Sequence, residues 1–335
     1  MEFILKPLSK IYDAITHQRN KSYDSKPFKT FKFDIPMINV GNLSVGGTGK
    51  TPFVEFLIQK YQEEYNVGVL SRGYGRKTKG PIKADQEATS KSIGDEPMQY
   101  HSKYDKVEVV VAEERVFGVP LFENTDLVLL DDAFQHRGIH RDVNIMLSDF
   151  NAPFFDDHVL PYGRLRERRE GANRADIIIF TKCPDSLDID LKKKYTEKAK
   201  NYSKAEVFFT SIKYDKAYFL KDNTEVEIPS NINLLTSIAN PKPLIEHLEK
   251  INISVDHHFK FRDHYSFTEK TIARVESESK TNNILITEKD AAKLKSLTKE
   301  SNFNYFVLPI TPHVLFDEED SMMNKINSLL KKVND

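Results

Sequence analysis

An apolar run that turns through glycines into a basic helix start constrains this chain more than any other feature. Ile35 to Val40 reads as a short strand. The turn Ser44-Val45-Gly46-Gly47-Thr48-Gly49-Lys50-Thr51 follows it. Phe53 to Tyr61 then reads as a helix with an apolar face at Val54, Leu57, Ile58 and Tyr61. Strand, Gly-rich turn and helix together are the setting of a phosphate-binding loop. Glycines let the backbone approach an anion, and the new helix adds its positive dipole end. Lys50 is placed to reach β- and γ-phosphates, and the Thr51 hydroxyl to ligate Mg²⁺. The usual pattern is G-x-x-x-x-G-K-[ST], and its first glycine position is Ser44 here. The alternative is a Gly-rich turn with a purely structural role.

Further elements extend the strand–helix pattern. Candidate strands lie at 66–70, 107–111, 126–130, 143–147, 176–180 and 205–210, with helices at 95–104, 113–122 and 186–202. This alternation predicts a mostly parallel sheet with helices on both faces, which places ligands at the carboxyl ends of its strands. Residues 208–229 alternate around Tyr214-Asp215-Lys216 and read as a two-stranded connector. Strand and helix patterns resume beyond it. The expected organisation is an amphipathic region at 1–30, a P-loop nucleotide-binding domain at 31–207, the linker at 208–229, and a smaller α/β domain at 230–335. A narrow connector between two such domains predicts hinge closure over a substrate.

Composition bears mainly on partners. Lys and Arg (49) nearly balance Asp and Glu (50), so bulk charge points neither toward nor away from nucleic acid, and no nucleic-acid partner is expected. A single cysteine, Cys183, rules out an internal disulfide or a multi-cysteine metal site and suits a reducing cytoplasm. No apolar run reaches the ~18 residues of a spanning helix. The apolar N-terminal stretch is broken at Lys6 and Lys10, unlike a signal peptide. Leu5, Leu8, Ile11, Tyr12 and Ile15 recur at helical spacing, and residues 1–33 carry seven basic against three acidic side chains. Such a helix either lies in the surface of an anionic bilayer or packs on its own domain.

Several constellations can carry chemistry. The apolar run Leu127-Val128-Leu129-Leu130 ends in Asp131-Asp132, and a carboxylate at that place holds the Mg²⁺ shell of phosphate-loop enzymes. Ala133-Phe134-Gln135-His136-Arg137 adds groups that orient phosphate or water, though His136 also suits a structural hydrogen bond. Asp95, in Gly94-Asp95-Glu96-Pro97, is either the cap of the following helix or the carboxylate that phosphoryl transfer to an alcohol needs. His264, in Phe261-Arg262-Asp263-His264-Tyr265, is either a satisfied loop histidine or a partner that polarises Asp95 or relays its proton. Arg72 and Tyr74, in Ser71-Arg72-Gly73-Tyr74-Gly75, suit an anion-binding loop. So does Arg166 in the Arg-rich run 161–169, where Glu167 is a candidate Mg²⁺ or ribose contact.

Taken in order, these segments resemble one family, the tetraacyldisaccharide 4′-kinases of Gram-negative bacteria. The resemblance rests on Gly41 to Pro52, Ser71 to Gly75, Gly94 to Pro97, Asp131 to His136, Leu160 to Glu167, Phe261 to His264, and Thr287-Glu288-Lys289-Asp290-Ala291. It implies ATP-dependent phosphorylation of the 4′-hydroxyl of an acylated glucosamine disaccharide 1-phosphate, in lipid A biosynthesis. It implies a P-loop NTPase-like α/β/α domain with a smaller α/β/α domain, and a peripheral position on the cytoplasmic face of the inner membrane. By motif position it makes Asp95 the base and His264 its partner. Residues 44–51 then hold ATP, and Thr51, Asp132 and Glu167 serve the metal or nucleotide shell. Arg72, Tyr74, Gln135, His136 and Arg166 contact acceptor or phosphate.

Two other readings stand beside this one. A P-loop kinase for another sugar would lack a use for the amphipathic N-terminus. A regulatory nucleotide switch reading guanine would favour N-K-x-D. Thr181-Lys182-Cys183-Pro184 lacks both its Asn and its Asp, and Thr287-Glu288-Lys289-Asp290 has the wrong spacing.

Overall fold

A computed structural model describes residues 2–25 and 28–331. Residues 1, 26 and 27 of the expected N-terminal region and 332–335 of the expected smaller domain lie outside the described residues.

Eight strands run through the first part of the chain: β1 (Met37–Asn42), β2 (Val67–Ser71), β3 (Ile82–Lys83), β4 (Glu108–Val111), β5 (Leu127–Asp131), β6 (Val143–Asp149), β7 (Ile177–Thr181) and β8 (Glu206–Tyr214). Among them lie helices α1 (Glu2–Asp24), α2 (Lys50–Tyr61), α3 (Ser90–Ile93), α4 (Asp95–Lys103) and α5 (Ile189–Lys200). A second part holds β9 (Tyr218–Phe219), β10 (Asn231–Thr236), α6 (Lys242–Lys250), β11 (Ser254–Lys260), α7 (Glu269–Glu278), β12 (Asn283–Thr287), α8 (Glu288–Leu294) and β13 (Asn304–Leu308). The chain then makes β14 (Ile310–Val314) and α9 (Glu319–Lys331).

Nine strands form the larger sheet, in the order β14-β8-β7-β6-β1-β5-β2-β4-β3. β8 through β4 are parallel, and the edge strands β14 and β3 pair antiparallel. The parallel interior explains why β1, β2, β5 and β7 are buried along their whole length. Alternate residues feed opposite faces. Ile38, Val40, Ile145 and Leu147 pack with Phe53 and Leu57 of α2 and with Met322, Ile326 and Leu330 of α9. Met146, Ile178 and Phe180 point the other way, into an aromatic cluster with Phe154 and Phe209. β1 lies between β5 and β6, where connections diverge to the two sides of the sheet, so a crevice opens at its carboxyl end.

The smaller sheet has the order β11-β10-β12-β13-β9, parallel but for β9. The final segment departs from expectation. β14 does not stay with this sheet but pairs antiparallel with the far half of β8, Ile310 opposite Tyr214 and Val314 opposite Thr210. Helix α9 follows it back onto the larger sheet, burying Met322, Ile326 and Leu330 there. Each such side chain stabilises the larger unit by about 1.5–3 kcal/mol, which places 310–331 with it rather than with a 230–335 domain. The two-stranded connection is therefore 210–214 against 310–314, while Tyr218–Phe219 belongs to the smaller sheet. Residues 113–122 are also not one helix. Gly118 and Pro120 interrupt them, leaving two 3₁₀ turns, Arg115–Phe117 and Val119–Leu121.

Helix α1 packs on its own unit, as one reading of its sequence expects. One face docks on the larger unit. The Ser9 hydroxyl donates to the Val159 carbonyl (2.6 Å), Arg168 pairs with Asp13 (2.6 Å), and Asn20 donates to Glu167 (2.5 Å). The opposite face carries Leu8, Ile11 and Ile15, which are 47%, 59% and 64% exposed.

Candidate active site

The turn 44–51 leaves the carboxyl end of β1 and opens α2. Gly49 sits at the helix N-cap with φ 79°, a left-handed conformation that costs glycine nothing. Neighbouring strand ends brace the turn from behind. The Asn42 amide donates to the Thr48 hydroxyl (2.8 Å), and the Thr181 hydroxyl donates to the Thr48 carbonyl (2.9 Å). The Lys182 ammonium donates to the Gly47 carbonyl and pairs with Asp149 (2.8 Å). Alongside, Val45 N–H donates to Arg164 and Arg166 N–H to Leu43, both at 2.7 Å. The loop is thus held open before any anion arrives. Thr181-Lys182 occupies this bracing position, a role its resemblance to a guanine-reading motif did not convey.

At the end of β5 the two adjacent carboxylates have opposite fates. Asp131 is buried and accepts from the Ser71 hydroxyl (3.0 Å). Burial, with Asp132 alongside, pushes its carboxyl up to about 7. Asp132 turns outward at φ 51°. Burial raises its carboxyl too, but Lys50 (3.7 Å) and Arg166 (2.9 and 3.0 Å) outweigh this and hold it below the usual range. Behind both lies Arg115, 2% exposed, donating to the Ala112 carbonyl (2.9 Å) and the Asp131 carbonyl (3.3 Å). Sequence reading passed over Arg115 because a lone arginine after a strand looks like a surface residue.

Glu167, expected in the metal or nucleotide shell, lies inside a hydrogen-bond network. It is buried and its oxygens are already taken: Oε1 by Arg174 (2.7 Å) and Gln135 (3.0 Å), Oε2 by Asn20 of α1 (2.5 Å). It ties α1 to the loops around 135 and 174. Gln135 is likewise committed, donating to Asn42 (2.8 Å) and Glu167, and its carbonyl accepts from Arg166 (3.3 Å). Arg166 pairs with Asp132 and Gln135. Among the acceptor-contact candidates, Arg72 and Tyr74 are exposed. The His136 Nε2 is buried without a hydrogen bond and stands 3.7 Å from a Glu114 oxygen. Burial and the arginines 115, 19, 141 and 72 depress the imidazole to about 4, so it is neutral.

Asp95 is not a helix cap. Gly94 holds that position at φ 100°, packed against Gly73, and Asp95 is the first residue of α4 with no capping bond from its side chain. His264 of the smaller unit approaches it across the cleft, Nδ1 to Oδ2 at 3.2 Å, and its own backbone is left-handed at φ 56°. Tyr74 stands edge-on to the imidazole, 5.6 Å between centroids. Two lysines of α8 complete the cluster. Lys293 is buried, 3.9 Å from Asp95 and 3.3 Å from Asp290. Lys289 lies 3.3 Å from His264 Nε2, 3.0 Å from Asp263 and 3.7 Å from Glu96. Burial raises the Asp95 carboxyl, but the bond from His264 and the charges of Lys293 and Lys289 prevail and keep it ionised below its usual range. Neither lysine was singled out from sequence, since a lysine on an amphipathic helix reads as solvated.

The same helix pair is joined again further along. Glu55 of α2 and Glu288 of α8 meet Lys103 of α4, at 3.1 and 2.5 Å. Burial, then Glu288, push the Glu55 carboxyl up to about 7 against the pull of Lys103.

Comparison with known proteins places this geometry. The family described as "Tetraacyldisaccharide-1-P 4'-kinase" matches residues 1–331. A Cytophaga hutchinsonii protein named tetraacyldisaccharide 4'-kinase is 39% identical, covering 100% of this chain and 97% of its own. The Flavobacterium johnsoniae protein of the same name is 40% identical over 92% of this chain and 91% of its own. Among solved structures, LpxK from Aquifex aeolicus in complex with ATP superposes with a TM-score of 0.79 at 28% identity, covering 98% of this chain and 99% of that one. With its P-loop sheet matched from end to end, the chain belongs to the tetraacyldisaccharide-1-P 4'-kinase family.

Proposed function

We propose that this chain transfers the γ-phosphoryl group of ATP to the 4′-hydroxyl of a tetraacylated disaccharide 1-phosphate, a step of lipid A biosynthesis. One observation carries the reading at the level of the site. An ionised carboxylate, Asp95, held by a histidine from the second unit, stands at the same sheet edge as a braced phosphate loop.

ATP lays its phosphates along 44–51, with Lys50 against the β- and γ-oxygens. Thr51 and the carboxylates at the end of β5 fit a divalent cation. Asp131 is buried beside Asp132, and burial first, then that second carboxylate, raise its protonation range. Among the described residues no three His, Cys, Asp or Glu side chains form a metal cage. Mg²⁺ takes one or two carboxylates and completes its shell with phosphate and water. When bound it would neutralise phosphate charge.

The acceptor enters the cleft beside Arg72, Tyr74 and His136. Asp95 Oδ2 is occupied by His264, so Oδ1 takes the hydrogen bond of the attacking hydroxyl. A carboxylate below its usual range is a weak base. In a loose phosphoryl-transfer transition state the proton leaves late, and orientation by Asp95 does most of the work. The acyl chains lie toward α1, whose apolar face 8–11–15 enters the surface of the inner membrane from the cytoplasm. No described helix is long and apolar enough to cross a membrane.

The test is transfer of label from γ-labelled ATP to acylated disaccharide 1-phosphate, with soluble sugars as controls. Transfer to the lipid alone supports the reading. Equal transfer to soluble sugars, or preference for GTP, overturns it.

A further inference from the structure

Lys289 has no role in the chemistry described so far, yet its ammonium is the closest group to the far nitrogen of His264. The contact is Nζ to Nε2 at 3.3 Å. An ammonium carries donors only. For this contact to be a hydrogen bond, Nε2 must present its lone pair. The ring proton is then on Nδ1, facing Asp95 Oδ2 at 3.2 Å. We infer that Lys289 is a positioning residue that fixes the neutral form of His264 as its Nδ1–H tautomer, so that His264 orients Asp95 and cannot take a proton from it. The inference rests on Asp95 being the group that meets the attacking hydroxyl.

The consequence is chemical. A histidine with Nδ1 already protonated has no lone pair facing Asp95, and its remaining lone pair is covered by Lys289. The proton released by the acceptor hydroxyl therefore goes to Asp95 and from there to solvent or product phosphate. The groups facing the imidazole act in both directions. From α4, Asp95 (3.2 Å) and Glu96 (3.9 Å) favour the imidazolium, as does Asp263 beside it (3.8 Å). From α8, Lys289 opposes it directly, and Lys293 neutralises Asp95 from behind. Tyr74 makes a T-shaped ring contact and adds no charge. The net direction is upward, led by the Asp95 bond and restrained by burial and Lys289. Without Lys289, three carboxylates would face the ring with burial alone opposing its protonation.

Lys289 also bridges Asp263 and Glu96, so loss of activity on its removal would not by itself separate tautomer control from simple bracing. Nitrogen NMR of the full-length protein labelled at histidine separates them, with the His264 signals assigned by their absence in His264→Gln. In the wild type the neutral ring should show a protonated Nδ1 and an unprotonated Nε2. Lys289→Met should raise the His264 titration midpoint by about one pH unit or more, and move the acidic limb of kcat/KM the same way. Lys289→Arg, also donor-only and cationic, should keep the wild-type tautomer and midpoint. An Nε2–H tautomer in the wild type, which needs no variant to observe, overturns the inference. So does a midpoint unmoved or lowered in folded Lys289→Met. Should lipid phosphorylation fail while the midpoint moves as stated, the proposed function falls and the Lys289–His264 relation stands.

Discussion

Gly94 is the backbone hinge pin of the site, and replacing it by alanine has a calculable cost. Its φ of 100° and ψ of 162° lie in a region essentially reserved for glycine. Holding a non-glycine residue there costs about 1–3 kcal/mol. A Cβ would also meet Gly73 Cα at 3.0 Å, Gly73 C at 3.1 Å and the Tyr74 carbonyl at 3.1 Å. All three are backbone atoms, so no side chain can swing away, and overpacking of this kind costs about 1–3 kcal/mol more. If the fold keeps its geometry, Gly94→Ala loses about 4 kcal/mol, or about 10 °C in Tm for a unit of this size. If the chain relaxes instead, the start of α4 moves away from Gly73 and carries Asp95 with it. A displacement approaching 1 Å then costs about a hundredfold in kcat. Thermal unfolding and steady-state kinetics on one preparation read both outcomes, and ATP affinity should stay unchanged because the phosphate loop is on another strand. A variant with wild-type Tm and wild-type kcat would refute the reasoning.

Other outcomes follow from the same geometry. Lys50→Ala should cut turnover by several orders of magnitude, measured at saturating acceptor, since Asp132 loses a partner and the phosphates lose their cation. Glu55 has a folded-state carboxyl near 7, above its ordinary value of 4.5, so the stability it permits is full in acid and lost as pH rises from 4.5 through 7. Glu55→Gln should remove that dependence, matching the wild type near pH 5 and exceeding it at pH 8 by up to about 3 kcal/mol in urea unfolding. Ile11→Asp with Ile15→Asp should weaken binding to anionic lipid vesicles by about a hundredfold or more without altering the fold, because both side chains are exposed on α1.

The centre of the larger unit was legible because parallel strands buried on both faces must be written as apolar runs. β1, β5 and β7 stand out for that reason, and the phosphate loop and Asp131-Asp132 stand at their ends. The return of 310–331 to the first sheet was not legible. Pro312 interrupts β14, which is tolerated only because this is an edge strand, and its pairing with β8 spans about a hundred residues of sequence. Asp95 and His264 were readable as candidates and the helix as beginning at Asp95, but not Gly94 as its cap. Glu167 read as a Mg²⁺ or ribose contact, but its protein partners were not legible. Only the fold shows Asn20, Gln135 and Arg174 closing over it. Lys289, Lys293 and Lys103 stayed hidden too, since their partners lie on helices of the other unit.

The central claim is that Asp95 meets the attacking hydroxyl while the phosphate loop alone holds ATP. Replacing Asp95 by Asn keeps the volume and the contact with His264 but removes the carboxylate. Turnover of γ-labelled ATP into acylated disaccharide 1-phosphate by Asp95→Asn should fall by about 10²–10⁴, while ATP affinity stays at the wild-type value. A near-normal kcat, or a loss confined to ATP affinity, would contradict the account.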